Sequence, residues 1–222
     1  MRNLKVGLIQ LTSSDDWQDN LERALKLSRL ASADGAELIL WPENALFLGL
    51  NETDKTEKAV DLNGSWSTEI KGFCKETKTA VIIGSIPEKI ENSSKTYNTL
   101  VVFGHSGEII DYYRKIHLFD VELSKSESLL ESSSVEAGNE IKLVELFGWK
   151  IGLTICYDLR FPNLFRYLSK RGAEVILMPA AFTVPTGKDH WEILVRARSI
   201  ENNAFLVATN MCGTHHTNRK TY

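Results

Sequence analysis

The chain has 222 residues, of which 43% are hydrophobic and 25% are charged, and its formal net charge at pH 7 is −3. This length suffices for one large domain with a substantial core, so we expect a single domain over residues 1–222. The sequence contains no basic block and no apolar stretch as long as a membrane span, which argues against nucleic-acid and membrane partners.

The three cysteines, Cys74, Cys156 and Cys212, are far apart and form no Cys-X-X-Cys pair. An odd number of widely spaced cysteines disfavours both a disulfide framework and a zinc site. We therefore expect free thiols and a location in a reducing cytoplasm.

The first half of the chain predicts strands that alternate with helices. The first helix has N-cap candidates at residues 13–16 and a C-cap candidate at Gly35. The hydrophobic pattern predicts strands over 5–11, 37–41, 80–84, 97–103 and 108–113, helices over 17–33 and 68–77, and a polar loop over 51–64.

The second half begins with residues 117–140, which are mostly polar and Ser-rich and predict a long loop. After it, the pattern predicts a hairpin of strands 141–146 and 150–155, a helix over 163–171, a strand over 174–178 that Pro179 ends, a helix over 190–203 and a strand over 204–209. Strands and helices alternate, but hairpins interrupt them. The sequence therefore predicts an α/β layered fold with mixed sheets.

Cys156 lies where the predicted strand 150–155 gives way to a turn and a helix that begins near Pro162. A nucleophile is well placed there, because free backbone N–H groups beyond the strand end can meet a developing negative charge. The alternative is that Cys156 is a small buried hydrophobic residue at the end of an apolar strand.

Three other reactive side chains stand in comparable surroundings. Glu43 follows the strand that Pro42 ends, and apolar neighbours there would raise the pKa of a carboxyl group toward that of a useful base. Lys115 follows a predicted strand among aromatic and aliphatic residues. Glu131 lies in the Ser-rich loop. Each has a structural alternative. Glu43 could be a helix cap or a solvated carboxylate, Lys115 a surface cation, and Glu131 a charged residue of a loop.

Together these residues make a consistent chemical set. Cys156 would act as a nucleophile, a nearby carboxylate would take its proton and later activate water, and a lysine would stabilise the oxyanion. No histidine is required by this scheme. A papain-like Cys/His pair stays open, because its members meet only in space.

Three segments resemble the signatures of the nitrilase (carbon–nitrogen hydrolase) superfamily and occur in its order: Trp41 to Asn44, Tyr113 to Asp120, and Cys156 to Pro162. The resemblance implies a four-layer α-β-β-α sandwich, a catalytic triad of Glu43, Lys115 and Cys156, a second glutamate at Glu131, and the backbone N–H of Tyr157 in the oxyanion hole. It implies no metal or organic cofactor. It also implies a homodimer or higher homo-oligomer, with Phe165, Tyr167 and Leu168 as interface candidates.

Further segments are similar to the Nit branch of amidases, whose substrates are small amides that carry carboxylates: 117–122, 181–187 with 190–192, 196–201 and 212–216. The candidate substrate-binding residues are Arg160, Thr183, Thr186 and His190, with Lys188, Arg196 and Arg198 as further cations. Arginine suits a carboxylate because its guanidinium binds it bidentately. The alternative for Arg196 and Arg198 is an ion pair with Glu192 or Glu201 across a helical turn.

The chain stops at Tyr222, where members of this superfamily continue with further strand, so we expect a C-terminal truncation. Two other functions remain open. The chain could be a different carbon–nitrogen hydrolase such as an ω-amidase, or a truncated, inactive member that acts only as a binding protein.

Overall fold

The computed structural model describes residues 2–49, 52–124, 127–216 and 218–222, without the side chains of Glu52 and of 122–129. The helices are α1 (Trp17–Ala33), α2 (Glu52–Glu57), α3 (Thr68–Thr77), α4 (Pro162–Lys170), α5 (Val184–Thr186) and α6 (Glu192–Asn202). The strands are β1 (Val6–Leu8), β2 (Leu38–Leu40), β3 (Ala80–Lys89), β4 (Thr96–Phe103), β5 (Ile109–Arg114), β6 (Asp120–Ser124), β7 (Glu127–Leu130), β8 (Val135–Glu136), β9 (Leu143–Leu146), β10 (Trp149–Leu153), β11 (Val175–Ala180), β12 (Phe205–Asn210), β13 (Gly213–Thr214) and β14 (Lys220–Thr221).

Two mixed sheets form the centre of the fold. The first has the order β1-β2-β3-β4-β5, with β8 also paired to β4; its first three strands are parallel and the β3-β4-β5 pairs are antiparallel. The second has the order β12-β11-β10-β9, parallel except for β9. This confirms the predicted mixed sheets.

Alternation along β2 separates the two sides of the first sheet. Leu38 and Leu40 join a core that also contains residues of the second sheet, whereas Ile39 and Trp41 join a core with α1 and α3. On the far side of the second sheet, α4 packs so closely that the Leu168 side chain lies over Gly152. The layers are therefore α-β-β-α, as expected, and each fully buried aliphatic side chain contributes roughly 1.5–3 kcal/mol.

Local sequence signals account for several element ends. The carboxylate of Asp16 caps α1 by accepting from the backbone N–H of Asp19 at 3.0 Å. Gly35 follows α1 with a φ of +88°. Phe147 and Gly148, which join β9 to β10, have φ values of +52° and +74°, the left-handed pair that a tight hairpin turn requires.

Other expectations need correction. The predicted loop 51–64 contains α2, and the predicted loop 117–140 contains the β6–β7 ribbon and β8. The ribbon strands pair with each other, Asp120 opposite Leu130, rather than with a core sheet, so the hydrophobic pattern did not mark them. The predicted helix 190–203 begins earlier, through α5 and a π-helical turn at Gly187–Trp191. The short strands β13 and β14 were not predicted.

Pro179 does not end its strand as predicted, because β11 runs on to Ala180. β10 pairs with β11 only as far as Leu177, whereas β12 continues opposite Pro179 and beyond it. The strand thus has a neighbour on one side only at the proline, which is where a residue without an N–H is tolerated.

Among the described helices, none is long and apolar enough to cross a bilayer.

Candidate active site

The candidate catalytic residues stand just beyond strand ends. Glu43 follows β2, Lys115 follows β5, and Cys156 begins the short 3₁₀ turn Cys156–Arg160 after β10. Glu131 begins another 3₁₀ turn directly after β7. The ends of β2, β5 and β10 meet because the two sheets stack face to face, and the β6–β7 ribbon brings Glu131 to the same place. All four residues line one cleft of about 580 Å³, open solvent at its mouth included.

Lys115 lies between two carboxylates at the bottom of this cleft. Its ammonium group donates to Oε1 of Glu43 at 3.0 Å and to Oε2 of Glu131 at 2.8 Å. All three residues are buried, with 2% of Lys115, 3% of Glu43 and 9% of Glu131 exposed. The surface-cation and loop-charge alternatives for Lys115 and Glu131 are therefore wrong.

The charges in the cleft stabilise one another. Burial by itself lowers the pKa of Lys115, but the Glu131 and Glu43 carboxylates outweigh it and raise the pKa well above its ordinary value. Burial acts in the opposite sense on Glu131, yet Lys115 and Lys55 lower the pKa of its carboxyl group to about 2. At neutral pH Lys115 therefore stays protonated and Glu131 stays ionised.

Cys156 has the left-handed φ of +46°, uncommon for a residue other than glycine, and it is 8% exposed. Burial and then the Glu43 charge raise the pKa of its thiol well above the ordinary value, and Lys115 offsets part of that rise. The resting cysteine therefore keeps its proton, with the Glu43 carboxylate beside it as an acceptor. Strained backbone at such a turn is a frequent property of functional sites.

Asp158 is a site residue that the sequence reasoning missed. It is fully buried, and its carboxylate accepts from the Tyr113 hydroxyl at 2.8 Å and from the backbone N–H groups of Ile155 and His117 at 2.8 and 3.2 Å. The ring Nδ1 of His117 lies 2.6 Å from Oδ1 of Asp158. Asp158 thus joins the turn that carries Cys156 to the segment that carries Lys115.

Asn98 is a second missed residue. Its side-chain amide donates to Oε1 of Glu43 at 3.1 Å and to Oε1 of Glu131 at 2.9 Å. It stands on β4 two residues before Leu100, whose side chain lies in the core between the sheets. A polar residue at an inward position of a buried strand is the signal that could have found it.

The predicted substrate-binding residues fall into two groups. Thr183 and Thr186 line the cleft, whereas Arg160 and His190 are absent from its described lining and contact each other, with Arg160 Nη2 3.0 Å from His190 Nδ1. Two cations that were not predicted, Lys55 and Arg219, do line the cleft.

Arg196 and Arg198 form ion pairs across a helical turn, so the structural alternative for these two arginines is confirmed. Arg196 pairs with Glu192 at 2.6 Å, and Arg198 pairs with Glu201 at 2.9 Å. Within the described residues, no cluster of His, Cys, Asp and Glu has the arrangement of a metal site.

A four-layer α-β-β-α sandwich that brings Glu, Lys and Cys together at its strand ends defines an enzyme of the nitrilase class. The sequence also matches the carbon-nitrogen hydrolase family over residues 5–222. The chain belongs to this family, and the expected class of enzyme, an amidase, is confirmed.

Individual proteins show the same relationship. A deaminated glutathione amidase of Synechocystis sp. is 38% identical over all of this chain and 82% of its own length. The omega-amidase NIT2 of Mus musculus is 35% identical over 95% of this chain and 75% of its own length. The crystal structure of the C. elegans NitFhit protein superimposes with a TM-score of 0.91 and 32% identity, covering 98% of this chain and 53% of that one.

Proposed function

We propose that this enzyme hydrolyses the terminal amide of a small, carboxylate-bearing substrate through a thioester at Cys156. The observation that carries the proposal is the position of Lys115, held by two buried carboxylates in the cleft that also contains the Cys156 thiol. A buried cation beside a nucleophile is the arrangement that stabilises an oxyanion. Glu43, adjacent to the thiol, is the general base.

The reaction begins when Glu43 takes the thiol proton and the sulfur attacks the carbonyl carbon of the amide. The negative oxygen of the tetrahedral intermediate is stabilised by Lys115 and the backbone N–H of Tyr157. Glu43 then donates its proton to the nitrogen, the C–N bond breaks, and the amine or ammonia leaves. Cys156 is left as a thioester.

Hydrolysis of the thioester uses the same groups in a second round. Glu43 takes a proton from water, the resulting hydroxide attacks the thioester carbon, and the C–S bond breaks to release the carboxylic acid. The proton on Glu43 returns to the sulfur and restores the thiol. Glu131 holds the ammonium group of Lys115 throughout, with an oxygen that also accepts from the Phe119 backbone at 2.7 Å.

The charges around the cleft support an anionic substrate. The described lining carries three cations, Lys55, Lys115 and Arg219, and two carboxylates, Glu43 and Glu131. Thr183 and Thr186 add hydroxyl groups, and their hydroxyl oxygens lie 2.9 Å apart. Deaminated glutathione is the proposed substrate, since segments 196–201 and 212–216 are more similar to its amidase than to an ω-amidase. The likeness to the Synechocystis enzyme adds support.

The test compares kcat/KM for deaminated glutathione and ketoglutaramate on one preparation, with Cys156→Ser as the inactive control. We expect a preference for deaminated glutathione and nearly complete loss of turnover in the control, because a hydroxyl is far less acidic than a thiol. A tenfold preference for ketoglutaramate, about 1.4 kcal/mol, would move the assignment to ω-amidase. Turnover near wild type in Cys156→Ser would remove the thioester.

The chain is also proposed to form a homodimer in the cytoplasm. Free cysteines support that location. Helix α6, on the outer side of the second sheet, exposes Ile193 and Ile200 to 68% and 80%, which supports an interface there. Of the predicted interface residues, Tyr167 is exposed. The prediction is wrong for Phe165 and Leu168, because both side chains are fully buried against the second sheet within the protomer.

A further inference from the structure

The amide of Asn98 is the fourth member of a closed ring of hydrogen bonds around the proposed general base. Lys115 bonds to Glu43 and to Glu131, and the single nitrogen Nδ2 of Asn98 bonds to the same two carboxylates from the other side. Asn98 is 7% exposed. Its backbone carbonyl also accepts from the backbone N–H of Lys115 at 2.9 Å, so one residue bonds to both carboxylates and to the segment that carries the lysine.

Chemistry fixes the orientation of this amide. An ionised carboxylate only accepts hydrogen bonds, so the NH₂ group of Asn98, with its two hydrogens, must face Glu43 and Glu131. Each carboxylate takes one hydrogen. The carbonyl oxygen Oδ1 has no hydrogen-bond partner among the described residues. The side chain is therefore held by its two bonds to carboxylates rather than by any bond to its oxygen.

We infer that Asn98 is a positioning residue of the reaction, whose amide sets the separation and the charge of Glu43 and Glu131. This inference rests on the proposed function of Cys156 and Glu43. The two buried carboxylates share the ammonium ion of Lys115, and the two N–H groups of Asn98 give each of them one further hydrogen bond that stabilises its negative charge.

Asn98 also selects the oxygen of Glu43 that works as the base. The bonds from Asn98 and from Lys115 both end on Oε1 of Glu43. An oxygen that already accepts two charge-assisted or polar bonds is the poorer proton acceptor. Oε2 is left to take the proton of the Cys156 thiol and, later, that of water.

The test uses Asn98→Leu, which removes the amide, and Asn98→Asp, which keeps its shape but adds a third carboxylate. We expect kcat to fall about 10- to 100-fold with KM within about threefold of wild type, as for the loss of bonds to charged groups. Without the two N–H donors the ionised carboxylates lose stabilisation, so the acid limb of the kcat/KM profile should move to higher pH by about one unit in both variants.

A substrate-independent readout separates this inference from the proposed substrate. The rate at which iodoacetamide alkylates Cys156 depends on Glu43 taking the thiol proton, and its pH midpoint should rise by about one unit in both variants. Asn202→Leu is the matched control, because the buried amide of Asn202 donates to a helix carbonyl, that of Arg198, at 2.8 Å. This control should lose stability and keep both pH profiles.

Two results would overturn the inference. One is an Asn98→Asp variant, folded by circular dichroism, whose alkylation and activity profiles coincide with those of wild type. The other is an equal shift in Asn202→Leu, which would show that any lost buried amide moves the profiles. If wild type cleaves neither amide but its alkylation midpoint shifts as expected in both Asn98 variants, the positioning role stands and only the substrate fails.

Discussion

The hydroxyl of Tyr113 donates a 2.8 Å hydrogen bond to Oδ2 of Asp158. Both side chains are fully buried. Tyr113 lies two residues before Lys115, and Asp158 lies two residues after Cys156, so this bond fixes the lysine segment against the cysteine turn. Burial, and then the charge of Asp158, raise the pKa of Tyr113 well above its ordinary value, which keeps the hydroxyl protonated as a donor.

The first prediction tests that bond with Tyr113→Phe. The substitution leaves the ring in the core and removes one bond to a charged group, so the free energy of unfolding should fall by about 1.5–3 kcal/mol in urea titrations. We expect kcat to fall as well, because the two segments lose their fixed separation. Tyr112→Phe is the control, since the neighbouring Tyr112 is partly exposed, and it should change stability by less than about 0.5 kcal/mol.

The second prediction concerns acid. The pKa of Glu131 is lowered from the ordinary 4.5 to about 2. A carboxyl group with a depressed pKa in the folded state contributes stability above its unfolded pKa, and that stability is lost as pH falls through the folded value. The free energy of unfolding should therefore decline between about pH 4.5 and pH 2.

Glu131→Gln identifies the source of that decline. The stability difference between wild type and this variant should be largest near pH 7 and should shrink as the pH is lowered below 4.5. Glu136→Gln is the control, because Glu136 is exposed and its nearest cation, Lys95, is 3.8 Å away at the surface. A difference for Glu131→Gln that stays constant from pH 7 to pH 3 would contradict the assignment.

The parts of the fold that were predictable follow from local signals. α1 and α3 have the bounds that the hydrophobic spacing and caps predicted. The β9–β10 hairpin turns at Phe147 and Gly148 as expected. The strand ends before Glu43, Lys115 and Cys156 were predicted to within two residues, because a proline or a change of periodicity marks each end.

The parts that were missed depend on tertiary contacts. Asp158 was missed because its bonds to Tyr113 and His117 join residues at least 41 positions away. Arg219 reaches the cleft wall from the last residues of the chain, with Nη2 bonded to the carbonyl of Ala181 at 3.1 Å. No spacing rule connects such positions. Local sequence patterns therefore do not reveal residues such as Asp158 and Arg219, which reach the site through contacts with residues far away in the chain.

The third prediction is for Lys115→Met. The lysine is 2% exposed and lies between two carboxylates, so its loss leaves two buried negative charges with one cation fewer. The free energy of unfolding should therefore fall by about 3–5 kcal/mol. The chemical step, measured in single turnover, should slow by two or more orders of magnitude, as for loss of a principal oxyanion donor. Lys142→Met, at a surface ion pair with Glu140, should change neither quantity appreciably.

Rate and stability can be separated for Lys115→Met by measuring turnover well below its unfolding temperature. A folded Lys115→Met enzyme with a normal chemical step would show that the lysine serves stability alone.

The fourth prediction concerns the proposed dimer. Light scattering at micromolar concentration should give twice the mass of the chain. Ile200→Glu should give a monomer, because it places a charge on a side chain that is 80% exposed in the protomer and would be buried in the interface. Leu30→Glu on α1 is the control: Leu30 is 60% exposed on the opposite outer layer, and this variant should remain dimeric. A monomeric wild type would contradict the proposal.

The fifth prediction asks which arginine holds the substrate carboxylate. Arg219 lines the cleft, whereas Arg160 contacts His190 outside its described lining. Arg219→Gln should therefore raise KM for a carboxylate-bearing amide about tenfold or more, the effect of losing a charged hydrogen bond, with a smaller effect from Arg160→Gln.

Because Arg219 also bonds to Ala181, a neutral amide of similar length serves as the control: its kcat/KM should be nearly unchanged in Arg219→Gln if the guanidinium acts on the carboxylate. Equal losses on both amides would assign Arg219 to the cleft wall, and a larger KM effect from Arg160→Gln would restore the residue that the sequence predicted.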